Sequence, residues 1–197
     1  MANFDKLAEL GKPIFLRYDQ AALLRKYRLE ADAGAIYVRY CGTRYAIDRQ
    51  TADVTASDGT AAGPAVTLAI FDMLCHTEQP FLAAGEWRTT NMLPGCGQSN
   101  PDDTVLNKRL TGRFEAHADA LKEACRRLGG RPFPVGDVAW ELPVFDWFPV
   151  VFQFWQGDDE FPSTVRFLWD KASLRFLHYE TLYYIMGHVL QTLDSMI

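Results

Sequence analysis

The stretch that most constrains the fold of this chain covers residues 148–169, FPVVFQFWQGDDEFPSTVRFLW. Two apolar, aromatic runs flank a short acidic segment, residues 157–160 (GDDE), which we name the acidic turn. Such runs are too short for helices and are typical of strands that are covered on both faces. The stretch therefore predicts a β-hairpin in the middle of a sheet, and we expect Trp155 to lie in the core.

Composition excludes several classes of protein. The net charge of −5 and the lack of a basic stripe argue against a nucleic-acid surface. No apolar run approaches the roughly 18 residues of a membrane span, and the N-terminus does not resemble a signal peptide. The cysteines Cys41, Cys75, Cys96 and Cys125 form no CxxC pair. These observations predict a cytoplasmic protein with free thiols and no membrane partner.

Hydrophobic spacing predicts the order of the elements along the chain. We expect a short N-terminal helix stopped by Gly11 and Pro13, and a second helix from Asp19 to about residue 30. The further predicted elements are a hairpin over 35–47, a weak strand at Val54, a helix opened by Pro64, a strand over 86–89, a long helix over 103–128, a strand over 137–142 and a last helix over 178–195.

This pattern predicts an α+β fold. We expect a mainly antiparallel sheet of about five to six strands with a central C-terminal hairpin, packed by a long middle helix and a C-terminal helix. At 197 residues, without a polar linker, the chain is expected to form one globular domain over 1–197, with a short helical arm over about 1–30.

The acidic turn is the densest group of hard oxygen ligands in the sequence. Its carboxylates could hold a divalent cation such as Mg²⁺ or Ca²⁺, although their spacing is not that of an EF-hand. The alternative is a solvated hairpin tip. Among these side chains Glu160, next to Phe161, is expected to point inward.

The histidines offer a second candidate site. His178 and Glu180 open the last helix, where His178 falls at the edge of the apolar stripe and Glu180 shares the polar face with His188. His178 is interpreted either as a site residue or as a core-edge histidine with a hydrogen-bond partner. His76 and His117 have no evident acidic or cysteine partner at ligand spacing and are expected at the surface. Among the histidines the sequence therefore predicts no metal-ligand set, and the cofactor stays unknown.

Residues 136–182 resemble the signature of a bacterial and archaeal family, the domain of unknown function catalogued as family 3786. The GDDEFP segment within them is the most specific part, and the likeness extends to residues 34–47, 68–74 and 85–87. The resemblance implies a cytoplasmic domain, and some members of that family are joined to a putative iron–sulfur cluster segment of the corrinoid-protein type. It therefore implies an iron–sulfur or corrinoid protein as partner, and together with the aromatic loops and the lack of a catalytic constellation it favours a small-molecule ligand as the other partner. This chain lacks clustered cysteines and could not hold such a cluster by local ligands.

The residues at the motif positions of the resemblance complete a set of candidate pocket residues. This set is Trp87, Asp137, Asp158, Glu160, His178 and Glu180. No GxSxG, P-loop or GxGxxG motif is present to assign catalytic roles.

Three hypotheses follow for the function. The first is a non-catalytic small-ligand or redox-partner binding domain that acts as an accessory in cytoplasmic metabolism. The second is a carboxylate-dependent enzyme, with or without a metal, that uses Asp137, Glu160 and Glu180. The third is a structural homo-oligomerisation domain. Convergence of Asp137, Asp158, Glu160 and His178 in one cleft would favour the enzyme, and their scatter would weaken it.

Overall fold

A computed structural model describes residues 2–96 and 108–197, and the side chains of residues 6–96 and 111–197. Within these ranges the helices are α1 Ala2–Arg17, α2 Gln20–Tyr27, α3 Pro64–Cys75, α4 Lys108–Ala116, α5 Ala118–Arg127 and α6 Tyr179–Ser195. The strands are β1 Glu30–Ala31, β2 Ala35–Tyr40, β3 Thr43–Asp48, β4 Val54–Ala56, β5 Trp87–Thr89, β6 Arg131–Pro132, β7 Val138–Phe145, β8 Phe148–Trp155 and β9 Thr164–Asp170.

The fold is α+β with one antiparallel sheet, as the sequence predicts. Seven strands follow the order β4-β3-β2-β7-β8-β9-β5, while β1 pairs with β2 and β6 pairs with β7. The path of seven strands already exceeds the expected five to six, and the two-residue strands β1 and β6, too short to show a period in the sequence, bring the total to nine. Between β2 and β7 the register holds one residue pair, Tyr40 with Phe145.

The C-terminal hairpin, formed by β8 and β9, lies inside the sheet as predicted. Its register pairs Phe152 with Phe167 and Phe154 with Val165, and all four side chains are buried. The expectation for Trp155 is wrong. This residue is only partly buried because it ends β8, and its ring is covered by the Arg166 guanidinium, 5.0 Å from the ring centroid.

Helix α1 corrects the predicted N-terminal boundary, since it continues through Gly11 and Pro13 to Arg17. The local helix breakers are outweighed by packing on α3. Phe15 is fully buried and stacks on Phe71 with ring centroids 5.1 Å apart. The missing side chain of Gly11 leaves room for the same ring, which would lie 3.0 Å from an added Cβ.

The long middle helix is also corrected. The chain forms α4 and α5, which are separated by His117 with φ −130° and ψ 38°. No proline or glycine stands at this position, so the sequence carries no signal for the break. Gly129, with φ +80°, lies just beyond the end of α5, where a left-handed residue ends the helix. The first part of the predicted helix, residues 103–107, lies outside the described residues.

Helix α6 begins one residue later than predicted and buries the expected stripe of Leu182, Met186, Val189, Leu190 and Leu193. The placement of His188 on the polar face is wrong. Its ring stacks on the buried Tyr40 with centroids 4.8 Å apart, and burial lowers the pKa of His188 to about 4.

Candidate functional site

Helix α3 carries two polar side chains on one face near its C-terminal end. Pro64 opens the helix, where its missing N–H is harmless, and the apolar face of Ile70, Met73 and Leu74 is buried. Asp72 and His76 are four residues apart and so lie one above the other. The buried face thus fixes the helix, and its rotation directs the Asp72–His76 pair towards the start of α6.

The start of α6 is tied to this pair through Asp72. His178 is the N-cap residue of α6 but makes no side-chain cap bond itself. Instead, Asp72 Oδ2 accepts a hydrogen bond of 2.7 Å from the backbone N–H of His178 and one of 2.6 Å from the Thr181 hydroxyl. Both donors hold Oδ2, so the carboxylate is oriented and its other oxygen, Oδ1, is turned towards the imidazoles.

Three potential ligand atoms converge there, and we call Asp72, His76 and His178 the histidine cluster. His178 Nδ1 lies 2.6 Å from Asp72 Oδ1 and 3.1 Å from His76 Nδ1. His76 Nδ1 lies 3.5 Å from Asp72 Oδ1. A neutral imidazole carries its proton on either Nδ1 or Nε2, so the tautomer decides which ring donates to Asp72 Oδ1, and each Nδ1 offers a lone pair when the proton is on Nε2.

A metal ion matches this spacing well. Donor atoms that share one tetrahedral ion at bond lengths near 2.0–2.1 Å lie roughly 3.3 Å apart. Two of the three observed separations, 3.1 and 3.5 Å, bracket that value. The third, 2.6 Å, is a hydrogen-bond spacing, and binding would replace this bond and part the two atoms by about 0.7 Å.

The surroundings favour a cation. Burial lowers the pKa of His76, so its ring stays neutral and able to ligate at neutral pH. His76 also follows the last residue of α3, where the partial negative charge of the helix C-terminus stabilises a cation. The Asp72 carboxylate retains 12% of its side-chain exposure and the His178 ring 66%, so the cluster is reachable from solvent on the His178 side.

The histidine cluster opens into a small cleft. The cleft has a volume of ≈ 180 Å³ and is lined by Gly11, Ile14, Leu68, Phe71 and Cys75 together with the three cluster residues. Burial raises the pKa of the Cys75 thiol to about 12, so Cys75 stays neutral beside the cluster. Apart from the cluster, the described lining is therefore apolar or uncharged.

The acidic turn lies at the other end of the hairpin. Asp158 Oδ1 accepts hydrogen bonds from the backbone N–H groups of Glu160 and Phe161, at 2.9 and 2.7 Å, which closes a local turn. Glu160 is exposed, so the expectation that it points inward is wrong. Asp137 is exposed as well and accepts a bond from the backbone of Gln156. The strand β9 that separates this end from α6 spans about 20 Å.

The remaining candidates are Trp87 and Glu180. Trp87 is half-buried in β5, pairs with Asp170 in β9, and meets the edge of Phe133 with ring centroids 6.4 Å apart. Glu180 is exposed in the first turn of α6, where a carboxylate suits the helix dipole. Among the described residues, no hydrogen bond or ion pair joins Asp137, Asp158 or Glu160 to His178. The structure brings His178 alone of the candidate set into a cluster of ligand atoms.

Sequence reasoning missed two members of that cluster. The expectation that His76 has no acidic partner is wrong, because Asp72 stands one helical turn before it. This D-x-x-x-H spacing on a helix was the available signal, since it places both side chains on one face. His178, by contrast, follows His76 by 102 residues, and only the packing of α6 on α3 brings the two rings together.

Comparisons with known proteins add a family but no activity. A family model described as Domain of unknown function (DUF3786) matches residues 19–192, which is most of the chain. No curated protein and no solved structure matches it. In the described part of the chain, no helix combines the length and apolar character needed to cross a membrane.

Proposed function

The chain belongs to the DUF3786 family, and we propose that it is a metal-binding domain whose histidine cluster holds one divalent first-row transition metal ion. The observation that carries the proposal is the convergence of Asp72 Oδ1, His76 Nδ1 and His178 Nδ1, all within 4.8 Å of one another. Two imidazoles and one carboxylate form a ligand set that suits Zn²⁺ or Fe²⁺.

The hydrogen bonds that orient the Asp72 ligand support the proposal. Ligands of bound metals are usually oriented by hydrogen bonds from a surrounding shell of groups. Asp72 has such a shell, because Thr181 and the backbone of His178 occupy Oδ2 and leave Oδ1 for the ion. The ligands come from two helices whose packed faces fix their separation, so the site requires no loop to close around it.

Three protein ligands leave at least one coordination position for water or another molecule. A bound ion supplies a Lewis acid and an attachment point for a donor atom. This character fits a small-ligand-binding accessory domain, and the alternative of a metal-assisted enzyme would use the same open position. Partnership with an iron–sulfur or corrinoid protein is a separate proposal that rests on the family resemblance alone.

Metal titration tests the proposal directly. The purified chain is freed of metal with a chelator and titrated with Zn²⁺ by calorimetry, in wild type, His76→Ala and His178→Ala. We expect one ion per chain in the wild type and an affinity at least roughly 100-fold weaker in each variant, because each loses a direct ligand. His117→Ala serves as the control, since His117 is exposed and outside the cluster.

The competing explanation is purely structural. In that case Asp72 serves only to cap α6, and His76, which does not take part in the cap, contributes nothing to either stability or metal affinity. A Zn²⁺ affinity that is the same in His76→Ala and wild type would therefore contradict the proposal. So would an affinity that falls in His117→Ala as much as in His178→Ala.

A further inference from the structure

The wall of the cleft beside the histidine cluster suggests what the open metal position takes. Ile14 of α1 and Leu68 and Phe71 of α3 form this wall with Cys75. Among the described lining residues, Asp72 is the sole carboxylate, and no lysine or arginine reaches the cleft. A molecule that enters therefore meets apolar surface everywhere except at the metal ligands.

We infer, on the basis of the proposed metal site, that the cleft binds a small hydrophobic carboxylate whose oxygen completes the coordination of the ion. Charge supports an anionic donor. A divalent ion with two neutral imidazoles and one carboxylate carries a net charge of +1, and a monoanion neutralises it beside the apolar wall of the cleft. A dianion would overcompensate this charge, and a neutral molecule would leave it unmatched.

The volume of the cleft limits the size of the carboxylate that it can bind. The cleft measures ≈ 180 Å³, below the roughly 300–1,000 Å³ of ordinary drug-sized pockets. An apolar protein cavity of about 150 Å³ is large enough for benzene. The apolar part of the ligand is therefore about the size of one six-membered ring or a short branched chain. Acetate would satisfy the ion but would leave the wall of the cleft in water.

One wall of the cleft comes from outside the segment that matches the family model. That segment begins at residue 19, whereas Ile14 belongs to α1. Ile14 is 53% exposed and thus reaches the cleft from the surface of the molecule. A substitution there changes the cleft without touching a metal ligand or a buried core residue. Leu10 of the same helix is 58% exposed and does not line the cleft, so it provides a matched control.

Benzoate, acetate and benzamide are suitable probes for the test. Each is titrated into the Co²⁺-loaded protein, and binding is followed through the visible spectrum of the ion and by calorimetry. We expect benzoate to bind at least tenfold more tightly than acetate, which lacks the ring, and than benzamide, which lacks the charge. Ile14→Glu should weaken benzoate binding at least tenfold through repulsion and lost apolar surface, while Leu10→Glu should leave it unchanged.

The outcomes separate this inference from the metal site on which it rests. If Co²⁺ binds but benzoate is held no more tightly than acetate, the inference is overturned and the metal site stands. If the metal-free protein binds benzoate as tightly as the Co²⁺-loaded one, coordination plays no part and the inference is again overturned. If Co²⁺ does not bind, both proposals fail together. A tenfold preference for benzoate that Ile14→Glu abolishes and Leu10→Glu retains supports the inference.

Discussion

The two ends of the C-terminal hairpin differ in how their polar groups are held. At the acidic turn, Asp158 binds only the backbone of its own neighbours, Glu160 and Phe161, and the side chains face solvent. Beyond the opposite end of the hairpin, Asp72 joins two helices through contacts with residues 106 and 109 positions away. Among the described residues, the three consecutive acidic side chains of the turn thus do not converge, while Asp72 meets groups that are distant in sequence. Density of charge in the sequence is a poor guide to a site, and convergence in space is a good one.

Replacing Asp72 should lower the stability of the protein more than any substitution in the acidic turn. Asp72→Ala leaves the backbone N–H of the exposed His178 and the hydroxyl of the buried Thr181 without their acceptor. We expect a loss of about 3 kcal/mol in the free energy of unfolding, or a fall of roughly 6–12 °C in Tm, measured in the metal-free protein. Glu180→Ala, an exposed carboxylate in the first turn of α6, is the control and should cost less than about 1 kcal/mol. Equal losses in the free energy of unfolding of Asp72→Ala and Glu180→Ala would contradict the stabilising role assigned to Asp72.

A shift of pH between 7.0 and 5.0 should affect the histidine cluster and leave the acidic turn unchanged. Protons compete with metal for imidazole, so Zn²⁺ affinity should fall roughly tenfold or more over this range. Burial lowers the pKa of His76 below its usual value, so the part of the loss due to His76 belongs to the acidic side of pH 6.5. His76→Ala should bind weakly and show a shallower pH dependence. If the Zn²⁺ affinity of His76→Ala depends on pH as steeply as that of the wild type, His76 is not a ligand.

At the acidic turn the pH effect has the same sign but lies at a lower pH. Backbone N–H groups of Phe161 and Glu160 hold the pKa of Asp158 below its usual value. A lowered carboxyl pKa stabilises the fold above the unfolded value, near 3.9, and this contribution is lost as pH falls through the folded value. Between pH 5.0 and 7.0 it is therefore constant. Asp158→Ala should lower Tm by only about 2 °C, since the freed N–H groups meet water.

The smallest effect is expected at Asp159, the middle carboxylate of the same turn. Its neighbour Asp158 makes the turn-closing bonds, so Asp159→Ala should change Tm by less than about 1 °C. Differential scanning calorimetry at neutral pH, with and without added Ca²⁺, measures this. A fall comparable to that of Asp72→Ala, or a rise of Tm in Ca²⁺ that Asp159→Ala abolishes, would make the acidic turn a cation site after all.

Sequence reasoning recovered the fold better than the site, for a physical reason. The runs that form β8 and β9 specify strands locally, because residues a few positions apart decide whether both faces are apolar. The helix over Pro64–Cys75 was likewise readable from its proline start and apolar face. The path of α1 past Pro13 and the break at His117 depend on what packs against them, and no local pattern encodes that.

The histidine cluster shows the same limit more sharply. The Asp72–His76 pair could have been recognised from helical spacing, but neither its approach to His178 nor the role of Thr181 could. Both depend on how α6 lies across α3, which follows from the summed apolar faces of two helices that are far apart in sequence. A partial ligand pair on one helix is therefore the feature to search for when the third ligand is hidden by topology.

The single residue pair that joins β2 to β7 has a mechanical consequence. Tyr40 pairs with Phe145, and the Cys41 N–H donates a hydrogen bond to the Val144 carbonyl. These few contacts form the junction between the two halves of the sheet, within which the strands pair over more residues. When the protein is pulled apart or opens transiently, β2 should separate from β7 before the strands within either half of the sheet separate. The amide of Cys41 should therefore exchange with solvent deuterium sooner than the amides within β8. Hydrogen exchange thus detects the opening between β2 and β7 without any mutation.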